Sequence, residues 1–296
     1  MRVYGEDMVS LAGKEWRPLS RALQKRAARL HTSKGRHKTG LFLIEGFRLL
    51  AAALENNWPV ESVVVRDDSV SRARLKTILA EWGRPAVGIY SAPRKILEEM
   101  SATVSSSGVI SLARQKPFPP AGEPPSGRHL LIVDNVRDPG NVGAILRSAA
   151  AFGIDAVYLS AGSVDLYNPK VVRGSMGALF SLPVYPNTDL HRFSEQLRRA
   201  GYAIFIADPH EGRPPGRAER PAKWALVVGG ETKGYSDSWR KGNAESVRIP
   251  TSAKVESLNT AVAAGIILFC LGKPQLRSRQ NASRVRKTTR QWQKKT

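Results

Sequence analysis

The sequence predicts an α/β protein built on a parallel sheet, preceded by a smaller α/β unit. Short apolar runs of strand length alternate with segments of helical period along most of the chain. Polar, small-residue turns follow several of those runs, which is where open α/β sheets place their ligands, beyond the carboxyl ends of the strands. A stretch rich in proline and glycine, residues 116–127, divides the alternating pattern in two and reads as a semi-stiff linker.

Taken in order, residues 1–18 form an N-terminal extension and residues 19–115 the smaller unit. Leu19 to Leu30 has the pattern of a basic amphipathic helix carrying Arg21, Lys25, Arg26 and Arg29. Ser33 to Gly40, with Lys34, Arg36 and Lys38, reads as a cationic turn before the strand Leu41 to Glu45. A helix through Phe47–Glu55 and a strand near Val60–Arg66 complete the recognisable elements of this half.

The larger unit, residues 128–272, opens with a buried strand, His129 to Asp134. Asp138-Pro139-Gly140 is a turn signal, and Asn141 stands where a helix N-cap is expected. Val142, Ile145, Leu146, Ala149 and Phe152 then recur at helical spacing, and Gly153 marks the stop. Arg147 falls nearly opposite that apolar face and so projects away from the core. The strand Ala156 to Ser160 closes a βαβ unit. Further on, Phe205 to Ala207 and Trp224 to Val228 read as strands, the second running into Gly229-Gly230-Glu231-Thr232-Lys233-Gly234. Arg248-Ile249-Pro250 reads as a short terminal strand, leading through Ser257-Leu258-Asn259 into an apolar run that ends at Leu271. Polar turns at three strand ends make one composite site a reasonable expectation. Residues 273–296 hold nine Lys or Arg and no acid, a composition expected to be disordered when free and suited to phosphate contact.

Composition narrows the function classes. Forty-six basic against 25 acidic residues give a formal charge of +21, which points to a polyanionic partner without distinguishing RNA, DNA or acidic lipid. No run reaches the roughly 18 uninterrupted apolar residues of a membrane span. The first ten residues include Glu6 and Asp7 and lack the hydrophobic core of a signal peptide. The single cysteine, Cys270, allows no disulfide within one chain, so a reducing, cytoplasmic setting is expected. The five histidines lack metal-ligand spacing and cysteine partners, so no metal is expected. Lys233 precedes the last glycine of its loop and no Gly-Lys-Ser/Thr occurs there, which argues against a phosphate-binding loop of the NTPase kind.

Three segments, in order and at compatible separations, resemble the motifs of the SpoU/TrmH family of SPOUT-superfamily RNA 2′-O-ribose methyltransferases. The first is Asn141-x-Gly143-x-x-x-Arg147; the second is Gly229-Gly230-Glu231-x-x-Gly234; the third is Ile249-Pro250 with Ser257-Leu258-Asn259 and Ala263-Ala264-Gly265. Between the first two lies a family-like connector, Asn168-Pro169-Lys170-Val171-Val172-Arg173. The resemblance implies a trefoil-knotted parallel sheet flanked by helices, S-adenosyl-L-methionine as cofactor, RNA as substrate and a homodimer. It makes the first half similar to the ribosomal-protein-like substrate-binding unit found ahead of such catalytic units, with Arg26, Lys34, Arg36, Lys38 and Arg173 as RNA contacts. Thr251, where the family commonly has methionine, is a departure close to the cofactor.

The resemblance also assigns roles. Asn141, Arg147, Glu231, Ser257 and Asn259 would surround the reacting groups, and Gly229, Gly230, Ile249, Leu258 and Asn259 would hold the cofactor. A guanidinium stays protonated in proteins, so Arg147 is expected to grip the target phosphate and orient the 2′-hydroxyl rather than to remove its proton. Glu231 would anchor the active-site loops through Asn141 and backbone donors. Ser257 and Asn259 would cap the last helix as well as bind. rRNA is favoured over tRNA by the long first half. A non-enzymatic RNA-binding or ribosome-assembly protein on the same scaffold is the alternative of another class.

Overall fold

A computed structural model describes residues 16–82, 88–102, 107–116, 127–217, 221–230, 234–240, 244–252 and 254–272. Most of the expected linker and the basic tail therefore lie outside the described residues.

The first half contains β1 (Arg17–Pro18), α1 (Arg21–Arg29), α2 (Ser33–Thr39), β2 (Leu41–Glu45), α3 (Phe47–Glu55), β3 (Val60–Arg66), α4 (Ser69–Trp82), β4 (Gly88–Ala92), α5 (Arg94–Met100) and β5 (Val109–Arg114). Its sheet runs β1-β4-β3-β5-β2, with β5 antiparallel to both β3 and β2. Ser20 caps α1 by accepting from the Leu23 N–H, so the basic helix starts where its first polar side chain can satisfy an orphan donor. The stretch expected as a cationic turn is instead the helix α2. Thr32 accepts from the Gly35 N–H at its start, and Gly40 ends it at φ 64°, a left-handed stop that glycine tolerates.

The second half contains β6 (His129–Asp134), α6 (Pro139–Ala151), β7 (Ala156–Ser160), α7 (Pro169–Gly174), α8 (Ala178–Ser181), β8 (Val184–Thr188), α9 (Leu190–Arg199), β9 (Ala203–Ala207), β10 (Trp224–Gly229), β11 (Glu245–Val247) and α10 (Thr260–Leu271). The six strands are all parallel in the order β11-β9-β10-β6-β7-β8. Both faces of the inner strands are buried, and β10 and β6 read as unbroken apolar runs for that reason. Two expectations are corrected here. The terminal strand is Glu245–Val247 rather than Arg248 to Pro250, because its ladder to Phe205–Ala207 ends at Val247. The N-cap of α6 is Asp138, whose carboxylate accepts from the Asn141 N–H at 2.8 Å, while Pro139 occupies the first helical position that suits it.

A single apolar cluster runs from Phe42, Ile44, Ala53 and Trp58 in the first half to Val142, Leu146, Val171, Phe180 and Leu268 in the second. The halves are thus packed against each other, with the Phe42 and Tyr167 rings 4.6 Å apart at the seam. Arg36, expected to contact RNA, is corrected by the structure: it is 2% exposed, and its guanidinium lies in the seam against Asp165. No helix among the described residues is long and apolar enough to cross a membrane, and those residues hold no cluster of three metal-capable side chains.

Candidate active site

The carboxyl ends of β9, β10 and β11 meet α10 around a cavity of about 330 Å³, at the lower end of the range of small-molecule pockets. Three loops build it. The first leaves β10 through Gly229 and Gly230, whose backbone is paired with Gly234 and with the Asp134 carbonyl. A Cβ at Gly230 would fall 2.2 Å from the Asn135 carbonyl oxygen, so only glycine allows this approach. The second loop leaves β9 through Asp208, Pro209 and His210. The third is the approach to α10, which contributes Ile249, Thr251, Glu256, Ser257 and Leu258.

Two buried carboxylates hold these loops in place. Asp134, 1% exposed at the end of β6, accepts from the Ser236 N–H at 2.8 Å, the Ser236 hydroxyl at 2.6 Å and the Trp239 indole at 3.3 Å. Asp208 does the same on β9, accepting from the N–H groups of His210 and Glu211 and from the Tyr235 hydroxyl at 2.6 Å. Burial alone would raise the Asp208 carboxyl. The Tyr235 hydrogen bond, the two backbone donors and the nearby Arg240 outweigh it and hold the group below its ordinary value. Burial, then the hydrogen bond to Asp208 and its charge, push Tyr235 up to about 12.

Asn259 joins the first and third motifs. Its Oδ1 caps α10 by accepting from the Ala261 and Val262 N–H groups, while its Nδ2 donates to Asn141 Oδ1 at 2.9 Å. The cavity therefore brings together Gly229, Gly230, Ile249, Leu258 and Ser257, with the Asn141–Asn259 pair bonded beside them. Of the expected helix-capping pair, only Asn259 caps; Ser257 is exposed and faces the cavity. Arg147 does not line the cavity. It is exposed on α6, about 9 Å along the axis from Asn141. Glu231 lies outside the described residues.

Asp134, Asp208, Tyr235 and Arg240 escaped the sequence reading. The carboxylates at the ends of two strands are the signal that could have found them.

Comparison with known proteins accounts for this geometry. Residues 128–269 match the model of the SpoU rRNA Methylase family, and residues 24–111 match that of an MRM3-like substrate binding domain. A 23S rRNA (uridine(2479)-2′-O)-methyltransferase of Streptomyces viridochromogenes is 30% identical over 85% of this chain and 92% of its own length. The chain belongs to the SpoU family. Among other SpoU relatives, the 23S rRNA (guanosine(2553)-2′-O)-methyltransferase RlmP of Bacillus subtilis is 29% identical over 82% of this chain and 93% of its own. The structure of the SpoU methyltransferase AviRb from Streptomyces viridochromogenes, solved in complex with AdoMet, superposes with a TM-score of 0.73 at 26% identity, covering 86% of this chain and 97% of that one. The fold implied by the motifs, a parallel sheet of the SPOUT kind behind a small α/β unit, is the one observed.

Proposed function

We propose that this SpoU-family chain transfers a methyl group from S-adenosyl-L-methionine to a ribose 2′-hydroxyl of rRNA. The observation that carries the reading is the Asn259–Asn141 hydrogen bond at the rim of the glycine-lined cavity, because it ties the first and third motif segments together beside the glycines of the second.

The cavity's composition fits the cofactor. Val228, Val247 and Ile267 supply apolar wall for an adenine, and Gly229 and Gly230 let main chain approach a ligand closely. Asp208, Glu256 and Arg240 supply charge of both signs, as a zwitterionic methionine tail requires. When bound, S-adenosylmethionine supplies an electrophilic methyl on a sulfonium. The rest is positioning. Asn141 and Asn259 fix the rim, Ser257 presents a hydroxyl to the cavity, and Arg147 grips the target phosphate bidentately so that the 2′-oxygen approaches in line. The hydroxyl proton then passes to a phosphate oxygen or to water, since Arg147 keeps its own. Glu231 braces the glycine loop in this reading.

Lys34, Lys38 and Arg173 are exposed and suited to backbone phosphate contact, and Arg26 shares its charge with Glu61. The working unit in this reading is a homodimer. α10 is apolar on every side, yet Val262, Ile266 and Phe269, at i, i+4 and i+7, are 50%, 38% and 65% exposed. A second copy of the chain is the occupant that would cover this stripe, placing its own α10 beside the site.

The test uses labelled S-adenosylmethionine with separated rRNA and tRNA, followed by alkaline hydrolysis. A 2′-O-methyl blocks the neighbouring-group attack that cleaves RNA in base, so label is expected in alkali-resistant dinucleotides of rRNA. Label in mononucleotides would mean base methylation, and an absence of both label and cofactor binding would favour a scaffold protein.

A further inference from the structure

The seam between the halves is built around α7. Arg36, on α2, is buried there with each of its guanidinium nitrogens hydrogen-bonded. Nε and one terminal nitrogen donate to Asp165 Oδ2 at 2.8 and 2.6 Å, and the other terminal nitrogen donates to the Leu30 and His31 carbonyls. Asp165 stands just before α7, and its other oxygen accepts from the Tyr167 N–H at 2.9 Å. Tyr167 packs its ring at a tilt against Phe42 of β2, and its hydroxyl accepts from the Lys116 N–H at 3.2 Å. Beyond α7, a Cβ at Gly177 would sit 3.0 Å from the Ala52 Cβ, so that end also lies hard against the first half.

The other side of α7 touches the catalytic helix directly. A Cβ at Gly143 would lie 2.8 Å from the Gly174 Cα, so α6 and α7 meet backbone to backbone. No side chain at that point can re-pack to absorb a shift, and close-packed elements of this kind transmit displacement. Gly143 lies two residues from Asn141. Apolar contact alone would let the halves slide, because it has no direction. The buried ion pair is directional, and its desolvation makes it costly unless it specifies geometry.

We propose that α7 is a rigid strut between the two halves and that Arg36 is its positioning residue. The nucleotide that is methylated is then chosen by its span from the RNA element held by the first half. This rests on the reading of the chain as an RNA ribose methyltransferase and adds how its target is selected. Lys170 and Arg173 are exposed on α7 itself, so the strut carries two cations suited to backbone phosphate contact.

The experiment compares the full-length protein with its Arg36→Gln, Arg36→Lys and Gly174→Ala variants. Methyl positions are mapped along the rRNA, cofactor affinity is measured by calorimetry, and amide hydrogen exchange is followed. In Arg36→Gln, turnover at the native nucleotide is expected to fall between about 10- and 100-fold, the cost of a small misplacement, with label appearing at neighbouring riboses. Cofactor affinity is expected to hold. Exchange should quicken in α7 and in the first turn of α6, and Arg36→Lys should restore part of the site preference. Gly174→Ala, whose Cβ would stand a tight 3.3 Å from the Gly143 Cα without touching the ion pair, should reproduce part of the loss. Unchanged site choice with native exchange in α6 would overturn the strut, as would cofactor affinity falling in step with turnover. If the wild-type protein methylated no ribose, the functional reading would fail on its own, while the exchange data would still decide whether α7 couples Arg36 to α6.

Discussion

Asn259 donates its side-chain amide to Asn141 at 2.9 Å while its carbonyl oxygen caps α10, so one residue both starts a helix and braces the site across from it. The two duties use opposite ends of the amide and can be separated by substitution. Asn259→Asp keeps the capping oxygen and loses the donor. It should melt within a few degrees of the wild type yet lose at least about tenfold in kcat/KM, as removal of a positioning contact does. Asn259→Ala should lose the same activity and in addition about 1 kcal/mol of stability, the usual worth of a cap. Paired melting curves and methyl-transfer rates check both, and a fully active aspartate variant would sink the bracing role.

The Asp208–Tyr235 pair gives the site a defined response to pH. The folded-state Asp208 carboxyl sits below its ordinary value, so its contribution to stability is complete above about pH 4, the unfolded pKa, and is lost as pH falls through the folded value. Tyr235, raised to about 12, contributes below its unfolded value and loses that contribution as pH rises through about 12. Denaturation midpoints of wild type and Asp208→Asn should therefore differ at pH 7 and converge in acid. A constant difference down to pH 2.5 would contradict the assignment.

If the proposed homodimer forms through α10, turning the exposed stripe of that helix to charge should break it. Phe269→Glu with Ile266→Lys is expected to sediment as a folded monomer with little methyl transfer. A variant that stays dimeric would move the interface elsewhere.

Salt dependence separates exposed from buried cations. Each phosphate contact released adds roughly 0.7 to 0.9 to the slope of log K against log salt. Removing Lys34 and Lys38 together should flatten the slope by about 1.5 on that scale without changing cofactor affinity. An unaltered slope in filter-binding titrations would remove α2 from the RNA path.

Much of the catalytic half was legible in the chain. The strands His129–Asp134 and Ala156–Ser160 match their expected bounds because a short apolar run flanked by turn residues has few other uses. Gly229, Gly230, Ile249, Leu258 and Ser257, drawn from two separate motif segments, line one cavity. What stayed hidden was long-range. Arg36 looked like a surface cation because its neighbours Lys34 and Lys38 are; its partner lies 129 positions away, and no local pattern announces such a pairing. Asp134 and Asp208 likewise take their meaning from donors on other loops. At Ser33 to Gly40, glycine and charge suggested a turn, but the Thr32 cap and the left-handed Gly40 close a compact helix around Gly35.

The position of β10 bears on how the chain is made. This late strand lies between β9 and β6, so the inner edge of β6 finds its partner only about 90 residues after β6 itself is synthesised, on the order of 10 s at ordinary elongation rates. Until then a strand whose four central residues are apolar offers unpaired backbone on that side, the condition that invites wrong partners. The nascent chain carries this open edge through that interval, whereas its first half, with all its strands already emerged, can close on its own schedule.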